Sequence, residues 1–238
     1  MESPRIDPIP NPAVRRLSLY LRQLESVQKL QRRTVSSKQL GESLHLTDAQ
    51  VRKDLACFGQ FGKAGIGYRV EDLIVQLRKI LGTDKLWNVL LVGAGNLGCA
   101  LMAYQGFDAK GFRITAVFDA DHAKIGTRIG PFPSTISLPE SEPGTDAKRT
   151  FLVQPLSELR ETIQRFGIRL AILAVPAEAA QAAADLVVAA GVRGILNFAP
   201  VSLTVPSDVA VTAVDLAVQL EQLSFQVNFT PINLPESA

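Results

Sequence analysis

The stretch Leu86 to Gly98, LWNVLLVGAGNLG, constrains the fold more than any other part of the chain. Val89 to Val92 form an apolar run without helical spacing, and the run opens directly into Gly93-Ala94-Gly95-Asn96-Leu97-Gly98. Cys99 to Tyr104 is then compatible with a helix. Strand, glycine turn and helix in that order form the layout that receives a dinucleotide. Gly93 permits the tight turn, Gly95 lets the backbone approach a pyrophosphate, and Gly98 lets the helix pack closely on the strand. The helix N-terminus offers free N–H groups and partial positive charge to the phosphates. A glycine turn alone also occurs in ordinary loops, so the flanking elements carry the reading. Asp119 closes a second apolar run, Ile114 to Phe118, 21 residues beyond Gly98. An acid there can accept a hydrogen bond from a ribose hydroxyl, and no arginine adjoins it to receive a 2′-phosphate, which predicts NAD(H) rather than NADP(H).

Beyond this turn, strands and helices alternate. Phe151 to Val153, Leu170 to Val175, Gly194 to Phe198 and Val209 to Val214 read as strands; Leu156 to Phe166 and Ala177 to Ala190 read as helices. Gly126 to Asp146 is a proline- and glycine-rich excursion read as a loop with short strands. The alternation predicts an α/β chain with a doubly wound, mainly parallel sheet. Ligands of such sheets sit outside the carboxyl ends of the strands, so Ala174-Val175-Pro176 and Asn197 to Pro200 are candidates to line a cofactor cleft. The last helix, Asp215 to Val227, is apolar over more than one face. A second copy in a two-fold dimer, or the amino-terminal part of the same chain, could cover it.

Charge separates the two parts of the chain. Residues 1–85 carry 15 Lys and Arg against 9 Asp and Glu, whereas residues 86–238 carry 10 against 14. A polyanionic partner for the first part follows. There, Val14, Leu17, Tyr20, Leu21 and Leu24 have helical spacing after Asn11-Pro12, with Arg15, Arg16 and Arg22 on the polar side. In Thr34 to Phe58, Ser36 or Ser37 can cap a helix through about Leu44, and Thr47 can cap another whose inward residues are Val51, Leu55 and Phe58. That leaves Asp48, Gln50, Arg52, Lys53 and Asp54 among the residues not assigned inward. Amide and guanidinium groups on such a helix suit a major groove, although helical pairs also serve as plain packing units. Gly59 to Val70 follows as a hairpin shaped by Phe61 and Tyr68 that presents Lys63 and Arg69, a basic wing. Asp72 to Gly82 gives a further helix.

VRKDLACFGQFGKAGIGYRV, VGAGNLGCALMAYQGF, VFDADHAKIG, AADLVVAAGVRGILNFAPV and VDLAVQLEQLSF together resemble the bacterial redox-sensing transcriptional repressor Rex family, over about Pro10 to Val227. The resemblance implies a winged helix-turn-helix domain (1–85), a Rossmann-like NAD(H)-binding domain (86–213) and a C-terminal dimerisation helix and tail (214–238) exchanged between subunits. It implies a homodimeric, cytoplasmic repressor that binds palindromic double-stranded DNA operators when NADH is scarce and releases them on NADH binding. It places the nucleotide turn on Gly93 to Gly98, ribose-side acids on Asp119 and Asp121, and DNA-binding helices on Ser37 to Leu44, which includes Lys38, and on Thr47 to Phe58. A ligand-sensitive network between subunits falls on Tyr104, which also adjoins the cofactor, with Arg22 and Asp215. Two residues depart from the pattern of some members: Asn96 replaces an arginine of the turn, and Leu216 a phenylalanine after the aspartate.

Other function classes fit less well. A dehydrogenase needs a placed acid or base, and the histidines are only His45, in the helical pair, and His122. No nucleophile set is apparent, so no enzyme is expected. A CoA-binding module also uses glycine turns, but Asp119 and the winged helix disfavour it. Cys57 and Cys99 lack CxxC spacing, so neither a disulfide framework nor a metal site is expected. No membrane span is expected, and the opening MESPRIDPIP lacks the pattern of a secretion signal.

Overall fold

The computed structural model describes residues 11–63, 65–133 and 148–229. The opening ten residues, Ala64 of the expected wing and most of the excursion ending at Asp146 lie outside them, as does the side chain of Lys63. The chain divides into two units, Met1–Leu86 and Trp87–Ala238.

In the first unit α1 (Asn11–Lys29) is followed by β1 (Thr34–Val35), α2 (Ser37–Glu42), α3 (Asp48–Ala56), β2 (Gly62–Lys63), β3 (Gly67–Arg69) and α4 (Val70–Leu81). Ser36 starts α2 through a capping box with Gln39, and the Thr47 hydroxyl starts α3 by accepting from the Gln50 N–H. His45 makes the turn between them with φ 55°. Leu17, Tyr20, Leu21 and Leu24 of α1 pack with Val51 and Leu55 of α3 and Leu73 and Leu77 of α4. Val14, expected inward, is 37% exposed, and Ala13 is buried in its stead. The hairpin of β2 and β3 gains a third strand, because β1 pairs antiparallel with β3. Helical pair and three-stranded wing make a winged helix-turn-helix.

In the second unit β4 (Trp87–Val92) leads to α5 (Asn96–Ala103), α6 (Gln105–Asp108), β5 (Phe112–Asp119), β6 (Arg128–Pro133) and β7 (Lys148–Pro155). A single 3₁₀ turn precedes α7 (Leu159–Phe166), then come β8 (Leu170–Leu173), α8 (Ala177–Ala189), β9 (Gly194–Asn197), β10 (Ala210–Ala213) and α9 (Leu216–Phe229). The sheet order is β10-β9-β8-β4-β5-β7-β6, parallel throughout except that β6 runs antiparallel to β7. The chain winds outward from β4 to β7, returns to β8 and winds outward again, so the order reverses between β4 and β8. That reversal is the switch point of a Rossmann-like sheet. On one face Leu90, Val92, Phe118 and Leu173 pack against α7 and α8. On the other, Val89, Leu91 and Val117 pack against Met102 of α5.

Candidate functional site

A cleft of about 720 Å³ opens at the carboxyl ends of β4, β5 and β8, at the switch point. Its floor is the glycine turn. Gly93 leaves β4 with φ 103°, and a side chain there would overlap the Ala174 carbonyl. The same atom at Gly98 would overlap the Gly93 carbonyl, so Gly98 brings the first turn of α5 down onto the strand end. At Gly95 it would meet nothing within 4 Å: this residue faces open cleft, where a pyrophosphate needs room. Asn96 and Leu97, at the amino end of α5, complete the floor. Ala179, Ala182, Ala183 and Leu186 of α8 form an apolar wall of mostly small side chains.

Asp119 is 8% exposed. Its Oδ2 accepts from the Ala94 N–H at 2.7 Å and its Oδ1 from the Asp121 N–H at 2.8 Å. Lys124 Nζ adds 3.2 Å to Asp119 and 3.6 Å to Asp121. Burial works to raise the Asp119 carboxyl, and the Asp121 and Ala94 N–H groups with Lys124 outweigh it, holding the group below the ordinary carboxylate range. Lys124 is raised in turn, chiefly by its bond to Asp119. Two carboxylates around one ammonium leave this end of the cleft net negative, which disfavours a 2′-phosphate.

Gly93, Gly95, Asn96, Leu97, Asp119, Asp121, Val175 and Pro176 all line this cleft. Four expected cofactor residues do not. Ala94 is buried with its N–H committed to Asp119, and Gly98 lies beneath the floor. Asn197 is 1% exposed and holds the following loop by accepting from the Ala199 N–H and donating to the Ala199 and Val201 carbonyls. Its neighbour Phe198 reaches the cleft in its place. Tyr104 ends α5, 59% exposed, its ring edge-on to Phe107 at 5.1 Å, on a separate apolar cavity of about 580 Å³. The cleft also contains Lys124 and the α8 wall, which the sequence reading missed. The spacing Asp121-x-x-Lys124, which returns the ammonium to the acids across one turn, was the available signal for Lys124.

In the first unit Lys53 of α3 is exposed. Arg52 donates to Asp48 at 2.6 Å and to the Ser37 hydroxyl at 3.2 Å, tying α3 to the start of α2. Lys38 pairs with Glu42, and exposed Arg69 with Asp72. Thr47 is exposed at the start of α3. Asp54, not assigned inward from the sequence, is 2% exposed because Arg16 of α1 pairs with it, and half-buried Gln50 donates its side-chain nitrogen to it at 2.7 Å. Asp215 accepts from the Ala217 and Val218 N–H groups through Oδ1 and so caps α9, and Arg22 is exposed on α1. Among the described residues no cluster of His, Cys, Asp or Glu could hold a metal, and no helix is long and apolar enough to cross a membrane.

Fold and cleft define a class: a winged-helix head joined to a dinucleotide-type Rossmann unit. The family model "CoA binding domain" matches residues 84–201 and "Putative DNA-binding protein N-terminus" matches residues 8–56. A redox-sensing transcriptional repressor Rex of Desulforamulus reducens is 45% identical, over 92% of this chain and 95% of its own length. That of Carboxydothermus hydrogenoformans is 44% identical, over 92% and 96%. Among solved structures, RSP in complex with beta-NAD+ and operator DNA superposes with a TM-score of 0.80 at 36% identity, covering 92% of this chain and 93% of that one. RSP in complex with beta-NADH gives 0.77 at 34%, covering 93% and 95%. The chain belongs to the Rex family of redox-sensing transcriptional repressors.

The depressed Asp119 carboxyl has a pH consequence. Its folded value lies below its unfolded one, so its contribution to stability is complete above the ordinary carboxylate range and is lost as pH falls through the folded value. Asp119→Asn should therefore destabilise the second unit by about 1–2 kcal/mol at pH 7. The variant and wild-type melting curves should converge below about pH 4. A difference that persists unchanged at pH 3 would show that the charge contributes nothing.

Proposed function

We propose that this chain is a cytoplasmic transcriptional repressor that binds an inverted-repeat operator when NADH is low and leaves it when NADH enters the switch-point cleft. One observation carries the reading: a winged helix-turn-helix with an exposed lysine on its second helix shares a chain with a glycine-floored cleft closed by acids at its ribose end. Ser37, Lys38 and Thr47 at the two helix starts, Arg52 and Lys53 on α3, and Lys63 and Arg69 on the wing face the duplex. Replacing Arg52 and Lys53 together with alanine should weaken operator binding by at least about thirtyfold, since each lost base contact costs about 1–3 kcal/mol. NADH affinity should stay intact. Equal loss on operator and random duplexes would remove these residues from base reading, and no loss at all would remove α3 from the groove.

Residues 214–238 serve dimerisation. Leu216, Leu220, Leu223, Phe225, Val227 and Phe229 of α9 are all more than half exposed, and no residue of the helix is buried. An apolar surface over a whole helix demands a cover, and the cavity beside Tyr104, lined by Leu170, Ile172 and Leu196 of the uncovered sheet face, is an apolar receiver of matching character. A second copy supplies the helix reciprocally. Leu220→Glu with Phe225→Glu should sediment as a monomer at micromolar concentration; a persisting dimer would place the interface elsewhere.

The switch follows from charge. NAD+ and NADH differ in the charge and planarity of the nicotinamide, and a ligand shifts an equilibrium only through contacts that differ between two states. Asp215 of one subunit approaches Tyr104 of the other, and Arg22 pairs with Asp215 in one state only. Both capping bonds of Asp215 use Oδ1, which leaves Oδ2 for the cation. Tyr104→Phe and Asp215→Ala should keep operator affinity measurable while raising the NADH concentration needed for release by about tenfold, one lost hydrogen bond. Release of both variants at the wild-type concentration would exclude the network as the switch.

A further inference from the structure

Among the described residues the core of the amino-terminal unit is interrupted by a single buried carboxylate. Asp54 lies on α3 with four donors around it. Arg16 of α1 approaches in a fork, Nε to Oδ2 at 2.5 Å and Nη2 to Oδ1 at 2.8 Å. The Tyr20 hydroxyl, from a side chain with no exposed surface, donates to Oδ2 at 2.7 Å. Gln50 donates to Oδ1 at 2.7 Å from one turn earlier on α3. Burial pushes the Tyr20 phenol well up, with the Asp54 bond adding to it, so the tyrosine stays a donor at any working pH. Burial also works to raise Asp54, and the bonds from Arg16, Tyr20 and Gln50 bring it below the ordinary range, so it stays an acceptor.

Apolar contacts alone would seat α3 on α1 loosely in rotation. Val51 and Leu55 lie in a cluster of mostly aliphatic side chains, and apolar contacts without directional bonds lose uniqueness of packing before they lose stability. A forked guanidinium–carboxylate pair is directional, and a third donor from the same helix removes the remaining freedom. Arg52 sits about 200° around the helix from Asp54, so whatever fixes Asp54 aims Arg52 outward.

We propose that Asp54, Arg16 and Tyr20 are positioning residues for operator recognition: they hold α3 at one rotation against α1, so that Arg52 and Lys53 meet the groove in one register. The inference rests on the DNA-binding reading above. It predicts where a loosened helix fails. Phosphate attraction tolerates tilt, whereas hydrogen bonds to base edges do not, so specificity is lost before affinity.

The test uses the full chain as wild type, Tyr20→Phe, Arg16→Gln and Asp54→Asn. The probes are the duplex that the wild type enriches from a random-sequence pool and a shuffled duplex of the same composition. The ratio of the two affinities should fall by about tenfold in Tyr20→Phe and further in Asp54→Asn, with shuffled-duplex affinity within about twofold of wild type. NADH affinity should be unchanged in all three. A merely structural role lowers the folded fraction and both affinities together, so an unchanged ratio would overturn the proposal. If Asp54→Asn does not fold, Tyr20→Phe, which removes one oxygen and keeps the packing, decides it. A wild type that enriches no duplex would overturn the DNA-binding reading and this inference with it.

Discussion

Everything in the carboxyl-terminal unit depends on how closely three backbone segments approach one another at the end of β4. Gly93 passes against the Ala174 carbonyl, and the first turn of α5 rests on the Gly93 carbonyl through Gly98. Asp119 locks the arrangement from the side by accepting the Ala94 N–H. The cleft is the space left over once those contacts are made. Its chemistry follows from the same atoms, because the turn that permits the approach also aims the amino end of α5 into the opening.

Much of this was legible in the sequence. The apolar runs from Val89, Ile114, Leu170 and Gly194 are strands because a buried parallel sheet needs both faces apolar, and their alternation with helices implies parallel pairing through right-handed crossovers. Winged-helix geometry was legible from cap residues and from the glycines around Phe61 and Tyr68. What escaped shares a cause, namely that a polar residue in a pattern reads as solvent-facing unless its partner is known. Asp54 belongs to the interior because its partners Arg16 and Tyr20 lie 38 and 34 residues away in the chain and arrive only with the tertiary fold. Asn197 likewise reads as a cleft residue until its loop is seen to need three hydrogen bonds. The two-residue strand β1 is too short for any periodicity, and it exists because β3 offers it an edge.

Asp119 illustrates why a residue's role and its location must be separated. The position matches a ribose acceptor, yet both of its oxygens already bond to protein N–H groups. The ammonium of Lys124 pairs with it and with the more exposed Asp121. Charge in this corner thus organises the protein before it meets any ligand. The head domain uses the same device at Asp54, where a buried carboxylate collects donors from two helices. In both units a single acid joins elements that apolar packing alone would leave free to shift.

The bare apolar surface of α9 reaches beyond architecture into gene dosage. If a chain works only when another covers that helix, functional molecules increase with the square of chain concentration while chains are scarce, and linearly once they are plentiful. While chains are scarce, a cell that halves its supply of this polypeptide would then lose more than half of its functional molecules. Growth that outpaces synthesis of the chain would loosen control on its own, with no change in the nicotinamide pool.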